Sequence, residues 1–257
     1  MKASRLARVL GVLAAGAVFL MVQPAACAQG GRGGGAPQTA KAASPMDLAG
    51  YWVSVITQAW RLRMVIPPRG DYLGIAVNPE AKKVADAWDP AKEEAAGNAC
   101  KGYGAAIIME MPERLHITWP DENTLQMEID AGTQTRTFHF GKWAPPEVKP
   151  SWQGDSVASW ESRERDPRRD PKARYLQVNT NHLLGGFLRK NGVPYSENAT
   201  IMETYDFFQE PTGEQWMIVT TTVTDPKYLA RPLLVTAQFR KQADPSGWDP
   251  TPCSATW

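Results

Sequence analysis

The chain has 257 residues, with 28 basic and 27 acidic groups for a formal net charge of +1, and 43% of its residues are hydrophobic. So even a balance leaves no basic stripe in the sequence that would point to nucleic acid or an anionic membrane. The length suffices for one core and does not demand a second.

The N-terminus carries Lys2, Arg5 and Arg8, then an uncharged run from Val9 to Val22, then the small residues Ala26 and Ala28 around Cys27. A basic head, an apolar core of about fourteen residues and a small-residue end describe a secretory signal peptide over residues 1–28, since a spanning helix needs about twenty apolar residues. Cleavage after Ala28 is the first reading, and lipid attachment at Cys27 is its rival. No transmembrane segment follows. Removal of residues 1–28 takes three basic groups and no acidic one from the 28 and 27 of the whole chain, leaving −2. The expected location is periplasmic or extracellular.

Residues 29–45 are glycine, alanine and polar residues without periodicity, which reads as a flexible tether. A single domain then spans 46–257. Met46–Ile56 gives a first strand with Gly50-Tyr51-Trp52 at its head, and Trp60–Ile66 is open between a strand and a turn of helix, ended by Pro67-Pro68. Asn78-Pro79-Glu80 supplies an N-cap, a proline at the first helical position and an early acid, so the sequence places a helix there and a second short one from Pro90. The pair, near residues 79–96, reads as a short helical insertion or a lid over a barrel mouth.

The stretch from Ala105 to Phe140 reads as four strands of an antiparallel meander, with Leu115, Ile117 and Trp119, then Leu125, Met127 and Ile129, then Phe138 and Phe140 at alternate positions. Further strands are expected at 156–161, 175–182, 199–208, 216–224 and 233–241, with Asn191-Gly192 marking a tight turn between them. Nine to eleven hairpin-linked strands without a βαβ rhythm indicate an all-β fold, a meander closed into a barrel that leaves no exposed edge.

With Cys27 assigned to the signal, Cys100 and Cys253 remain, and two cysteines of one exported domain are expected to pair. Such a bridge closes most of the domain into one loop, worth on the order of 4–5 kcal/mol in the chain-entropy account. No hydrolase, zincin, phosphate-loop or paired CxxC motif is present. The three histidines, His116, His139 and His182, lie on separate segments without ligand spacing, so no metal and no cofactor is expected.

Arg136 alternates with Phe138 and Phe140, and Glu203 alternates with Ile201 and Tyr205, so each shares an apolar face. A guanidinium on such a face needs a carboxylate or a ligand anion beside it. The candidate ligand-binding residues are therefore Arg136, Phe138, Tyr205, Trp160 and Glu161, and an Arg136–Glu203 pair has both a functional and a purely bridging reading. Glu203 and His182 are the acid–base candidates if the protein is an enzyme. Ten tryptophans are many for this length, and those off the strands, among them Trp60, Trp88, Trp143 and Trp152, either stack on a ligand at the mouth or anchor loops.

Taken together, Gly50-Tyr51-Trp52, the run Gly132–Arg136, Trp160-Glu161, Pro194-Tyr195-Ser196 followed by Glu203, and Asp225-Pro226 before a last strand and a terminal cysteine resemble a family of exported bacterial proteins with a lipocalin-like (calycin-type) barrel. The resemblance spans most of 46–253 and implies a compartment and a fold; it transfers no catalytic residue. Three functions stay open. The first is binding of a small apolar or aromatic molecule in the barrel. The second is a cofactor-independent lyase, isomerase or hydrolase in the same cavity. The third is a structural envelope protein with a filled barrel.

Overall fold

The structure, a computed structural model, describes residues 38–142, 149–163 and 173–256. The segment expected to be a signal peptide, with Cys27, most of the expected tether, Trp143 and most of the arginine-rich stretch 163–174 lie outside the described residues.

Nine strands close into one barrel in the order β1, β11, β10, β9, β6, β5, β4, β3, β2. They are β1 (Gly50–Ser54), β2 (Arg114–Asp121), β3 (Thr124–Ile129), β4 (Gln134–Phe140), β5 (Asp155–Ser162), β6 (Arg174–Asn181), β9 (Thr200–Gln209), β10 (Gln215–Thr224) and β11 (Leu233–Lys241). A separate small hairpin joins β7 (Gly186–Phe187) to β8 (Pro194–Tyr195). An odd number of strands cannot alternate direction all the way around a closed barrel, so one parallel junction is forced. It falls between β4 and β5, where Phe138 pairs with Ser156 and Phe140 with Ala158. This is the departure from the antiparallel meander that the sequence pattern implies.

Period-two alternation sends one set of side chains inward: Leu115 and Ile117, Leu125, Met127 and Ile129, and Phe138 are each at most 1% exposed. Trp52 lies among them, fully buried, its indole N–H donating to the Leu48 carbonyl at 3.0 Å. With Leu176, Val178, Tyr205, Met217, Val219 and Phe239 these residues pack the lumen into one core. These side chains make the lumen a packed hydrophobic core.

A second core caps one end of the barrel, formed by Ile75, Ala85, Leu188, Val193, Tyr195, Ile201 and Leu233 among others. Three short helices frame it: α1 (Trp60–Met64), α2 (Pro79–Ala87) and α3 (Pro90–Ala95). The Asn78 side chain accepts from the Ala81 N–H at 2.9 Å and caps α2, and Asp89 caps α3 in the same way. The stretch 105–112, expected as the meander's first strand, is instead turns and a 3-10 helix at Ile108–Glu110. Five of its eight residues are buried and the other three partly so, and the short apolar run that reads as a strand here belongs to a segment with little exposed surface.

The described end of the tether belongs to the barrel. Lys41 N–H donates to the Glu122 carbonyl at 3.0 Å, and the Trp160 indole N–H donates to the Ala40 carbonyl at 2.7 Å. Ala40 itself is 7% exposed, so the fold begins before Met46. At the other terminus Cys253 is disulfide-bonded to Cys100, which ties the tail to the capped end.

Candidate functional site

Inside the lumen, β4 and β9 carry Arg136 and Glu203 on inward positions, with two strands between them in the sheet. The guanidinium grips the carboxylate with both arms, Nη1 to Oε1 at 2.9 Å and Nη2 to Oε2 at 2.5 Å, and neither side chain has any exposed surface. The Tyr205 hydroxyl sits 3.3 Å from both Arg136 Nη1 and Glu203 Oε1, and the guanidinium lies 5.0 Å over the Phe138 ring. Burial is the largest single influence on Arg136 and opposes its charge, but Glu203, Tyr205 and Glu113 together outweigh it and hold the guanidinium's pKa above its ordinary value. Burial pushes the Tyr205 hydroxyl well above its ordinary value as well. Thr221 closes the group at 3.4 Å from Glu203 Oε1.

The Arg136–Glu203 pair is thus present, with Phe138 and Tyr205 against it, but it is closed on itself and lies among buried side chains. The other expected site residues stand apart from it. Trp160 packs between Phe140 and Phe207 toward the opposite end, with its N–H committed to Ala40. Glu161 points to the other face of β5 and accepts from the Ser159 hydroxyl at 2.8 Å. His182 is exposed just past β6, its backbone at a left-handed φ of 53° and its ring against the Asn181 side chain, so it shares no cavity with the buried Glu203. Among the described residues no group of three His, Cys, Asp or Glu is placed to hold a metal. Trp88 and Trp152 anchor loops: Trp88 packs edge-on against Phe187, and the Trp152 N–H donates to the Gly185 carbonyl. Trp216 is on the outer wall, stacked on Phe208.

A cavity of about 230 Å³ lies under α1 at the capped end. The sequence does not announce it. Ala59 adopts a left-handed φ of 51° and turns the chain back, so that the amides of Leu62 and Arg63 close on its carbonyl and form the single turn of α1. That turn sends Leu62 and Arg63 inward, and Pro67-Pro68 ends it. The opposite wall comes from the loop of the β7–β8 hairpin, where Gly192, at φ 85°, lets its N–H donate to the Arg189 carbonyl and brings Arg189 and Lys190 to the cavity. Asn191 holds that loop to the neighbouring one by donating to the carbonyls of Pro68 at 3.1 Å and Asp71 at 2.8 Å. Ile66, Ile75, Ile107, Met111 and Val235 complete an apolar lining.

The Arg63 side chain is 2% exposed. Its Nε donates to the Glu110 carbonyl at 2.7 Å, while Nη1 and Nη2 have no hydrogen-bond partner. The Glu110 carboxylate is 3.9 Å from Nε, beyond hydrogen-bonding distance. Arg189 Nη1 is likewise unpartnered. Burial lowers the pKa of both arginines and raises that of Glu110. It also brings the Lys190 ammonium down to about 8, with Nζ donating to the Tyr103 hydroxyl at 2.6 Å. Three cations and one carboxylate therefore face a small apolar space.

Comparison of the chain with protein-family models and with curated proteins returns no match.

Proposed function

We propose that this is an exported protein that binds a small amphipathic anion in the cavity beneath α1. The observation that carries the reading is Arg63: a guanidinium 98% out of solvent with two nitrogens lacking acceptors, in a cavity otherwise lined largely by aliphatic side chains. Buried donors left unsatisfied cost about 1–3 kcal/mol each, more when charged, so a ligand acceptor there gains what the protein alone forgoes. The role that the sequence pattern gives to Arg136, meeting the polar end of an apolar ligand, passes to Arg63 and Arg189, because Glu203 already occupies Arg136. The volume, below the roughly 300–1,000 Å³ usual for drug-sized ligands, favours a short aliphatic or single-ring body. The disulfide supports an oxidising compartment.

Titration calorimetry of the delipidated mature protein with octanoate, octanol and octylamine tests the reading. Octanoate is expected to bind, octanol more weakly and octylamine not at all, and Arg189→Gln is expected to narrow the gap between the acid and the alcohol. Equal binding of all three, or of none, defeats it. The packed lumen and the closed Arg136–Glu203 pair favour a second reading, a structural envelope protein whose barrel is simply filled. That reading predicts no binding and no ligand recovered by mass spectrometry of the purified protein.

A further inference from the structure

Two residues of the cavity lining, Val65 and Leu234, are themselves exposed, and other exposed apolar side chains lie on the same segments. Of eight large hydrophobic side chains exposed among the described residues, five border this end: Trp60, Met64, Val65, Leu73 and Leu234, each between 55% and 68% exposed. They come from three separate segments. In α1, Trp60 and Met64 stand four residues apart on one face, outward because Leu62 and Arg63 turn inward. Val65 and Leu234 line the cavity while remaining more than half exposed, so its apolar lining runs out onto the surface.

The charges on the same segments are nearly all of one sign. Residues 57–74 and 229–236 carry the exposed arginines Arg61, Arg69 and Arg231 and a single acid, Asp71, whose carboxylate accepts from the Leu73 N–H at 2.9 Å. Each arginine is within two residues of one that lines the cavity, namely Leu62, Pro67 and Leu233. None of this forms a basic run in the sequence, which is why the even overall charge conceals it.

We propose that this end of the barrel docks on an anionic lipid surface, with Trp60, Met64, Val65 and Leu234 entering the interface and Arg61, Arg69 and Arg231 resting among the headgroups. Tryptophan and flexible aliphatic side chains favour the headgroup–acyl boundary, and arginine stems lie along apolar surface while their heads reach phosphate. The excess of exposed arginine over acid on these two segments is what an anionic leaflet selects for. If the cavity takes an amphipathic anion, docking also lets that molecule pass from the bilayer to Arg63 without crossing water; this consequence rests on the proposed function, whereas docking rests on the surface alone.

Vesicle flotation with the mature protein tests it. Binding is expected to vesicles of phosphatidylglycerol mixed with phosphatidylcholine, with little to phosphatidylcholine alone, and raised salt is expected to weaken it. The double variants Trp60→Ser/Met64→Ser and Arg61→Glu/Arg69→Glu change exposed positions outside the cavity lining, and each is expected to lose about tenfold or more in binding. Failure of the native protein to float with anionic vesicles at low salt, or flotation undiminished by both double variants, overturns the proposal. Capture of a protein partner through the same four residues, without flotation, overturns it in favour of a protein interface. Octanoate titration of the same variants separates the two readings, since docking can fail while the cavity still binds.

Discussion

Arg136 and Glu203 form a two-armed ion pair at 2.9 and 2.5 Å across the barrel lumen, with no exposed surface on either side chain. A buried pair of this kind gains little over an apolar replacement, yet removal of one partner strands the other charge. Arg136→Met and Glu203→Leu are each expected to cost about 3–5 kcal/mol in urea unfolding, while the double variant recovers a large part of that loss. Additive losses would show that the two charges do not depend on one another.

The pair was legible because a strand writes its faces into the sequence at every second residue. Arg136 with Phe138, and Glu203 with Ile201 and Tyr205, could be assigned to the interior without knowing the fold. The cavity was not, for a reason of the same kind. Arg63 is on a single helical turn, too short for a periodic signal, and its inward direction depends on Ala59 adopting a left-handed backbone that alanine does not advertise. Arg189 and Lys190 flank Asn191-Gly192, where the turn was clear but its target was a tertiary matter. Likewise 105–112 mimics a strand because a segment with little exposed surface lacks the polar positions that would distinguish the two.

The Cys100–Cys253 bridge joins residues 153 apart and fastens the tail beside Gln134, whose amide nitrogen lies 3.3 Å from the Cys253 sulfur. Polar contacts anchor the tail there as well, among them the Thr251 N–H donating to the Asp130 carbonyl, the Ser254 N–H to the Tyr103 hydroxyl and the Ala255 N–H to Glu94 at 2.6 Å. Cys100→Ser/Cys253→Ser is expected to lower stability by about 2–5 kcal/mol, and reduction of the native protein should match it. Unchanged unfolding after reduction would mean that these polar anchors suffice.

Gly192 holds φ 85°, and a Cβ there would come within 2.3 Å of the Trp88 Cβ. Gly213, in the β9–β10 hairpin, has φ 94° but nothing within 4 Å of the same position. Alanine at either site bears the left-handed backbone cost of about 1–2 kcal/mol. Gly192→Ala is expected to cost measurably more in thermal unfolding than Gly213→Ala, the excess being the displacement of Trp88. It should also weaken octanoate binding, since the turn carries Arg189 and Lys190. Equal costs would show that Trp88 moves aside freely.

Glu113 precedes β2 on the inward side, 4% exposed, with its backbone N–H donating to the Ser54 hydroxyl at 3.0 Å and neither carboxylate oxygen hydrogen-bonded. Burial raises its pKa well above 4.5, and Asp130 and Glu110 push the same way, against Arg63 and Arg136. The native state therefore holds this proton more tightly than the unfolded chain does. The stability contributed by protonation is complete below about pH 4.5 and is lost as pH rises through the higher native value. Glu113→Gln keeps the shape and has no proton to lose. Relative to the native protein it is expected to gain stability with rising pH, at up to about 1.4 kcal/mol per unit, until the native carboxyl has ionised. Urea unfolding of both proteins from acid to neutral pH measures the difference. A glutamine variant that instead falls behind as pH rises would place an ionised Glu113 in partnership with Arg63 or Arg136, and the neutral buried acid described here would not exist.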